Sequence, residues 1–149
     1  MNFILVIHGP NLNMLGRREP SIYGSTTLDE INKSLENLAN QNNIRVDCFQ
    51  SNHEGEIIDK IHSVSGERDL KGIIINAGGY THTSIAIRDA LLIHDNVPIV
   101  EVHLSNIFKR ETVRHSSFIA SIADSIISGC GYHGYIYGFQ FLLRKINGS

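Results

Sequence analysis

At 149 residues, the chain has the length of one ordinary domain, enough to bury roughly two thirds of the surface its unfolded form would expose. Its composition, 42% hydrophobic and 19% charged with no long polar tract, excludes an intrinsically disordered chain. A formal net charge of -2 with no lysine or arginine stripe argues against nucleic acid as a partner, while a small anionic ligand stays open.

The opening segment, Met1 to His8, is apolar but too short and too uncharged for a signal peptide, and no run reaches membrane-spanning length. The expectation is a cytoplasmic protein without a membrane partner. Phe3 to Ile7 reads as a first buried strand, followed by polar loops and then an amphipathic helix from Leu28 to Ala39, with Ile31, Leu35 and Leu38 on one face. Thr26 or Thr27 caps that helix, with Glu30 placed to complete a capping box. Next come a strand over Ile44 to Phe49, a helix over Ile57 to Val64 and a strand over Gly72 to Ile75. A helix from Ile85 to Ile93, capped by Thr83 or Ser84, leads into a strand over Pro98 to Val102. An amphipathic stretch from Phe118 to Ala123, a strand over Ile126 to Ser128 and a helix over Ile136 to Ile146 complete the pattern.

Strands that are apolar all round and alternate with helices imply a parallel sheet covered on both faces. The expected fold is therefore α/β and flavodoxin-like, with five parallel strands. With no repeat, linker or low-complexity segment, residues 1–149 are expected to form a single catalytic domain. Cys48 and Cys130 belong to no CxxC or Cys/His metal spacing and are expected to be ordinary buried thiols.

In open α/β sheets ligands bind beyond the carboxyl ends of the strands. There the sequence places His8-Gly9-Pro10-Asn11-Leu12-Asn13 after strand one, Asn76 to His82 after strand three, and His103-Leu104-Ser105-Asn106 after strand four. The first of these loops carries neither GxGxxG nor GxxxxGK[ST], so no nucleotide cofactor is expected. It also lacks the acidic pair of a magnesium-dependent receiver domain. His53, His62, His94, His115 and His133 show no metal-ligand pattern, and Ser84, Ser105 and Ser116 no GxSxG elbow.

The segment Gly16-Arg17-Arg18-Glu19-Pro20-Ser21-Ile22-Tyr23-Gly24-Ser25 has the makings of a lid, although an incidental Arg17/Glu19 pair in a solvated turn would read the same way. A phenol serves as a general base only when ionised, and its ordinary pKa of about 10 leaves a gap to neutrality of about 4 kcal/mol. A guanidinium ~4 Å away supplies roughly 1 kcal/mol in bulk water but about 4 kcal/mol at an effective dielectric near ~20. Arginine, lid and Tyr23 thus form one device if water is excluded. Composition does not choose between Arg17 and Arg18.

His103, at the end of its strand with Glu101 nearby, suits a general acid; a histidine merely hydrogen-bonded at a strand end, and Glu101 as the base, are the competing readings. Asn76, His82, Ser105 and Arg114 offer donors and one cation suited to a carboxylate and hydroxyls. Each alone is equally consistent with a cap or a solvated charge.

The blocks His8 to Asn13, Leu15 to Pro20 with Tyr23-Gly24, Asn76 to Ser84, and Glu101 to Asn106 followed by Arg110-Glu111 and Arg114-His115-Ser116 together resemble the type II 3-dehydroquinate dehydratases over essentially the whole chain. The resemblance implies anti elimination of water from 3-dehydroquinate through an enolate, giving 3-dehydroshikimate without a cofactor or metal, in the shikimate pathway or in quinate breakdown. Tyr23 would be the base, held as its anion by Arg18, with Asn11 stabilising the enolate through a water and His103 protonating the departing hydroxyl. Asn76 and the Leu104-Ser105 segment would hold the substrate carboxylate, and His82, Asp89 and Arg114 the ring hydroxyls. Asp89 would reach a neighbouring subunit's site, since the resemblance implies trimers within dodecamers. The departure is His8, where many relatives carry asparagine, which would alter hydrogen bonds in the enolate-side loop. A Schiff-base lysine enzyme on a larger barrel is disfavoured, this chain being short for such a barrel, and a noncatalytic flavodoxin-like binding module is the alternative of a different class.

Overall fold

Six consecutive side chains of β1 (Phe3–His8) are buried, as a strand flanked by neighbours and covered on both faces requires. The computed structural model describes residues 1–17 and 19–148. In it, β1 pairs in parallel with β2 (Arg45–Gln50) on one side and β3 (Leu70–Asn76) on the other; β4 (Ile99–His103) and β5 (Ser125–Ser128) extend the sheet in the order β2-β1-β3-β4-β5. This is the parallel five-stranded α/β arrangement expected from the sequence.

Strand alternation sorts the core into two layers. Phe3, Leu5, Ile7, Ile73 and Ile75 pack against Ile57 and Ile61 of α3 (Glu54–Ser63) and Ile87 and Leu91 of α4 (Ile85–Leu91). Ile4, Val6, Ile74, Val100 and Val102 pack against Ile31 and Leu35 of α2 (Leu28–Gln41) and Tyr135, Phe139 and Leu142 of α5 (His133–Ile146). Thr27 caps α2, its hydroxyl accepting the Glu30 amide at 3.2 Å and donating to the Glu30 carboxylate, and Ser84 caps α4 by accepting the Ile87 amide at 2.9 Å.

Three expectations need correction. Phe118 to Ala123 holds only a 3-10 turn at Ala120–Ile122, because Ser117 ties down the Ile119 and Ala120 amides at 3.1 Å and the chain must still reach the sheet edge at Ser125. The lid segment contains a single-turn helix, α1 (Pro20–Tyr23), started by Pro20, whose fixed φ suits a first helical position. Cys130 is exposed, since it falls in the turn between the edge strand β5 and α5, whereas Cys48 on β2 is half-buried.

Candidate active site at the carboxyl ends of the strands

The ends of β1 and β3 are drawn together where the Gly9 amide donates to the Asn76 carbonyl at 2.7 Å. A Cβ on Gly9 would lie 2.3 Å from the Ala77 carbonyl oxygen, so only glycine permits this approach. Beyond it the chain enters the left-handed region at Asn11, with φ of 70°. Asn52 accepts the Asn11 amide at 2.9 Å, while Gln50 donates to the Gly9 carbonyl at 3.2 Å and Tyr80 to the Asn52 carbonyl at 2.7 Å. The loop after β1 is thus braced by the loops after β2 and β3.

Asn11, Tyr23, Asn76, His82, His103, Leu104, Ser105 and Arg114 line one cleft of about 100 Å³ at this end of the sheet. A larger cavity of about 910 Å³ lies at the opposite end, around the starts of β3 and β4, and gathers none of these residues. One residue expected to contact the substrate lies elsewhere. Asp89 sits on α4 with its side chain 65% exposed, 3.8 Å from Arg88. Arg18 falls outside the described residues.

Glu101 and His103 are two positions apart on β4 and therefore share a face. Glu101 is fully buried, and its Oε2 accepts from His103 Nε2 at 2.5 Å. Ser117 Oγ bridges both Glu101 oxygens at 3.0 and 2.9 Å. Because Nε2 is engaged with the carboxylate, Nδ1 is the nitrogen of His103 left for the cleft. The His82 ring stacks on that of His103, 6.4 Å between centroids, and its Nδ1 donates to the Ser116 carbonyl at 2.7 Å, leaving Nε2 available.

Tyr23 is half-buried at the end of α1, and its hydroxyl receives a 2.8 Å hydrogen bond from Arg110 Nη1; the guanidinium carbon also lies 5.3 Å from the phenol ring centroid. Arg17, by contrast, is exposed and does not line the cleft. Arg110 therefore brings a positive charge to the phenol from the β4 side of the site. Arg114 donates from Nε to Glu111 at 2.8 Å, and this bond holds the Glu111 carboxyl below its usual range.

The family model for dehydroquinase class II matches residues 2–143. The chain belongs to the class II dehydroquinases. It is 57% identical over 146 residues to a 3-dehydroquinate dehydratase of Halothermothrix orenii, covering 98% of this chain and 97% of that protein. It is 56% identical over 149 residues to the 3-dehydroquinate dehydratase of Gloeothece citriformis, covering 98% and 96%. Among solved structures, the type II dehydroquinase of Butyrivibrio crossotus superposes with a TM-score of 0.91 at 44% identity, over 95% of this chain and 97% of the other.

Two residues of this class II dehydroquinase site escaped the sequence reading as functional candidates. Arg110 stands five positions past Ser105; its place in the Arg110-Glu111 block that follows β4 was the signal, but no role was assigned to it. Ser117 looked like one serine among several until the fold brought it 16 positions back to Glu101. His8 also departs from expectation. Its ring is fully buried and bonds Tyr135 and Asn32 rather than the enolate-side loop, because alternation along β1 turns position 8 to the same face as Ile4 and Val6. Among the described residues, no group of His, Cys, Asp or Glu could hold a metal ion, and no helix is long and apolar enough to cross a membrane.

Proposed function

We propose that this chain dehydrates 3-dehydroquinate to 3-dehydroshikimate, with Tyr23 as the base and His103 as the acid. The observation that carries the reading is the juxtaposition, in one cleft, of a phenol bonded to a guanidinium and an imidazole bonded to a buried carboxylate. Negative charge on the Tyr23 oxygen is stabilised by the Arg110 hydrogen bond, a charge-assisted contact that strengthens as water is excluded. The phenolate takes the C2 proton beside the C3 ketone, and the electron pair moves onto the ketone oxygen as an enolate. Asn11, presented by the left-handed turn after β1, stabilises that oxygen through a bridging water.

As the enolate collapses, the C1–O bond breaks and the departing hydroxyl takes a proton from His103 Nδ1, so that water leaves and a C1–C2 double bond forms. The Glu101 carboxylate, fixed by Ser117, orients the His103 ring and so acts as a positioning group rather than as the base. Asn76 and the Leu104-Ser105 segment hold the substrate carboxylate, and His82 and Arg114 contact the ring hydroxyls; all five line the cleft. Arg18 contributes a second positive charge to the phenolate on the strength of the family resemblance.

The same resemblance supports one catalytic domain over residues 1–149, acting in the cytoplasm on a water-soluble acid and assembled as trimers within a dodecamer. Asp89 then serves a neighbouring subunit. Its exposure on α4, beside the exposed apolar side chains Ile85, Leu92 and Ile93, is what such packing would use. The pathway is the shikimate route to aromatic compounds or its catabolic quinate counterpart.

The test is direct: 3-dehydroquinate mixed with the enzyme should develop the near-ultraviolet absorbance of a conjugated enone acid. An unchanged spectrum with bound ligand would instead identify a binding module.

A further inference from the structure

Beneath the floor of the cleft, on the α2/α5 face of the sheet, runs a buried chain of polar groups of which only Asn76 lines the cleft. Asn76, the last residue of β3, is 3% exposed and lies opposite His8, the last residue of β1. The Asn76 Oδ1 accepts the Gly78 amide at 3.1 Å, and its Nδ2 donates to the Tyr135 hydroxyl at 3.1 Å. Tyr135 lies fully buried at the start of α5, 2.9 Å from His8 Nδ1. His8 Nε2 in turn lies 2.8 Å from Asn32 Oδ1 on α2.

The hydrogen-bonding capacities of these groups leave one ordering. The Gly78 N–H fixes the Asn76 amide with its oxygen toward the turn, so its nitrogen faces Tyr135 and the phenol oxygen must accept. The phenol hydrogen then needs an acceptor of its own, which a bare His8 Nδ1 supplies. A bare Nδ1 places the ring hydrogen on Nε2, where Asn32 Oδ1 accepts it. Reversing a link sets like groups against each other or leaves the phenol hydrogen without an acceptor in a buried space, at a cost comparable to leaving a buried polar group unpaired. Burial also pushes the His8 imidazole down to about 4, which keeps the ring neutral, as the ordering demands.

We infer that His8 is a positioning residue for substrate binding: acting through Tyr135, it holds the Asn76 amide with its second N–H turned to the cleft. This rests on the reading above that Asn76 helps to hold the substrate carboxylate. Position 8 thus governs recognition of the anion rather than formation of the enolate. An asparagine there keeps the function, because its Oδ1 stands the same number of bonds from Cα as the imidazole Nδ1 and can accept from Tyr135.

The experiment is steady-state kinetics with 3-dehydroquinate on His8→Leu, His8→Asn, Tyr135→Phe, Asn76→Ala and the double variant His8→Leu/Asn76→Ala. His8→Leu and Tyr135→Phe should raise KM roughly tenfold, the loss expected for one mis-set hydrogen bond to a charged group, with kcat within about twofold. His8→Asn should restore KM, and the double variant should be no worse than Asn76→Ala alone, a non-additivity that a general packing defect would not produce. Should His8→Leu fail to fold, Tyr135→Phe removes only a hydroxyl and carries the same comparison. A raised KM in Asn76→Ala with an unchanged KM in His8→Leu and Tyr135→Phe would overturn the inference alone. An unchanged KM in Asn76→Ala would overturn the carboxylate-holding reading beneath it.

Discussion

Acidification should destabilise this protein through one identifiable ring. The His8 imidazole is fully buried, and burial lowers its pKa from 6.5 to about 4, against a smaller opposing contribution from the Asn32 hydrogen bond. The unfolded chain therefore takes up a proton near 6.5 that the folded chain refuses until near 4. Stability contributed by this site is intact above the unfolded value and is lost as pH falls through that window. At 1.36 kcal/mol per unit, the loss is about 2 kcal/mol between pH 7 and 5 and about 3 kcal/mol by pH 4. Other groups titrate over the same range, so the assay is a difference: urea unfolding of the native chain and of His8→Asn, at matched pH values and one fixed protein concentration. The variant keeps a neutral group at position 8, and its stability should fall less by about the amount given above. Parallel pH dependences for the two proteins would refute the assignment of a buried neutral imidazole.

Other consequences concern the site, the strand ends and the thiols. Arg110→Met removes the 2.8 Å charged hydrogen bond to Tyr23 and should lower kcat roughly tenfold to a hundredfold, measured by the rate of enone formation; a change within twofold would mean that the phenolate is held by other groups. Gly9→Ala drives a methyl against the Ala77 carbonyl and should cost about 3 kcal/mol in urea unfolding, with a wild-type midpoint contradicting the close approach. Cys48, its pKa pushed up to about 12 by burial first and then by Glu36 and Asp47, should resist a thiol reagent at neutral pH while exposed Cys130 reacts, as intact-protein and peptide mass spectrometry can distinguish. Preferential labelling of Cys48 would overturn that ordering.

The parallel sheet was legible because β1 and β3 are hydrophobic on both faces, a property that survives any uncertainty about where each strand ends. Legibility failed where local pattern and tertiary bonds compete. Phe118 to Ala123 has helical spacing, yet the Ser117 hydroxyl is engaged by the Glu101 carboxylate and the Ile119 and Ala120 amides, and the chain turns instead. The cleft residues could be found because βα loops of such a sheet converge at one end, so position alone selected Asn76, His82, His103 and Ser105. Arg110 could not be found that way. Whether a guanidinium seven residues past the end of β4 folds back to a phenol 87 positions earlier depends on loop geometry, not on spacing. His8 illustrates the converse: its strand position was evident, but the face it occupies was decided by alternation along β1, which turns the ring away from the loop it precedes.

Removal of the C2 proton by the Tyr23 oxygen is tested by deleting the phenol hydroxyl. Tyr23→Phe should bind 3-dehydroquinate with near-native affinity by calorimetry, yet show neither enone absorbance nor exchange of the C2 hydrogen in deuterated water. Turnover within about tenfold of the native rate would assign proton removal to another group and contradict the account.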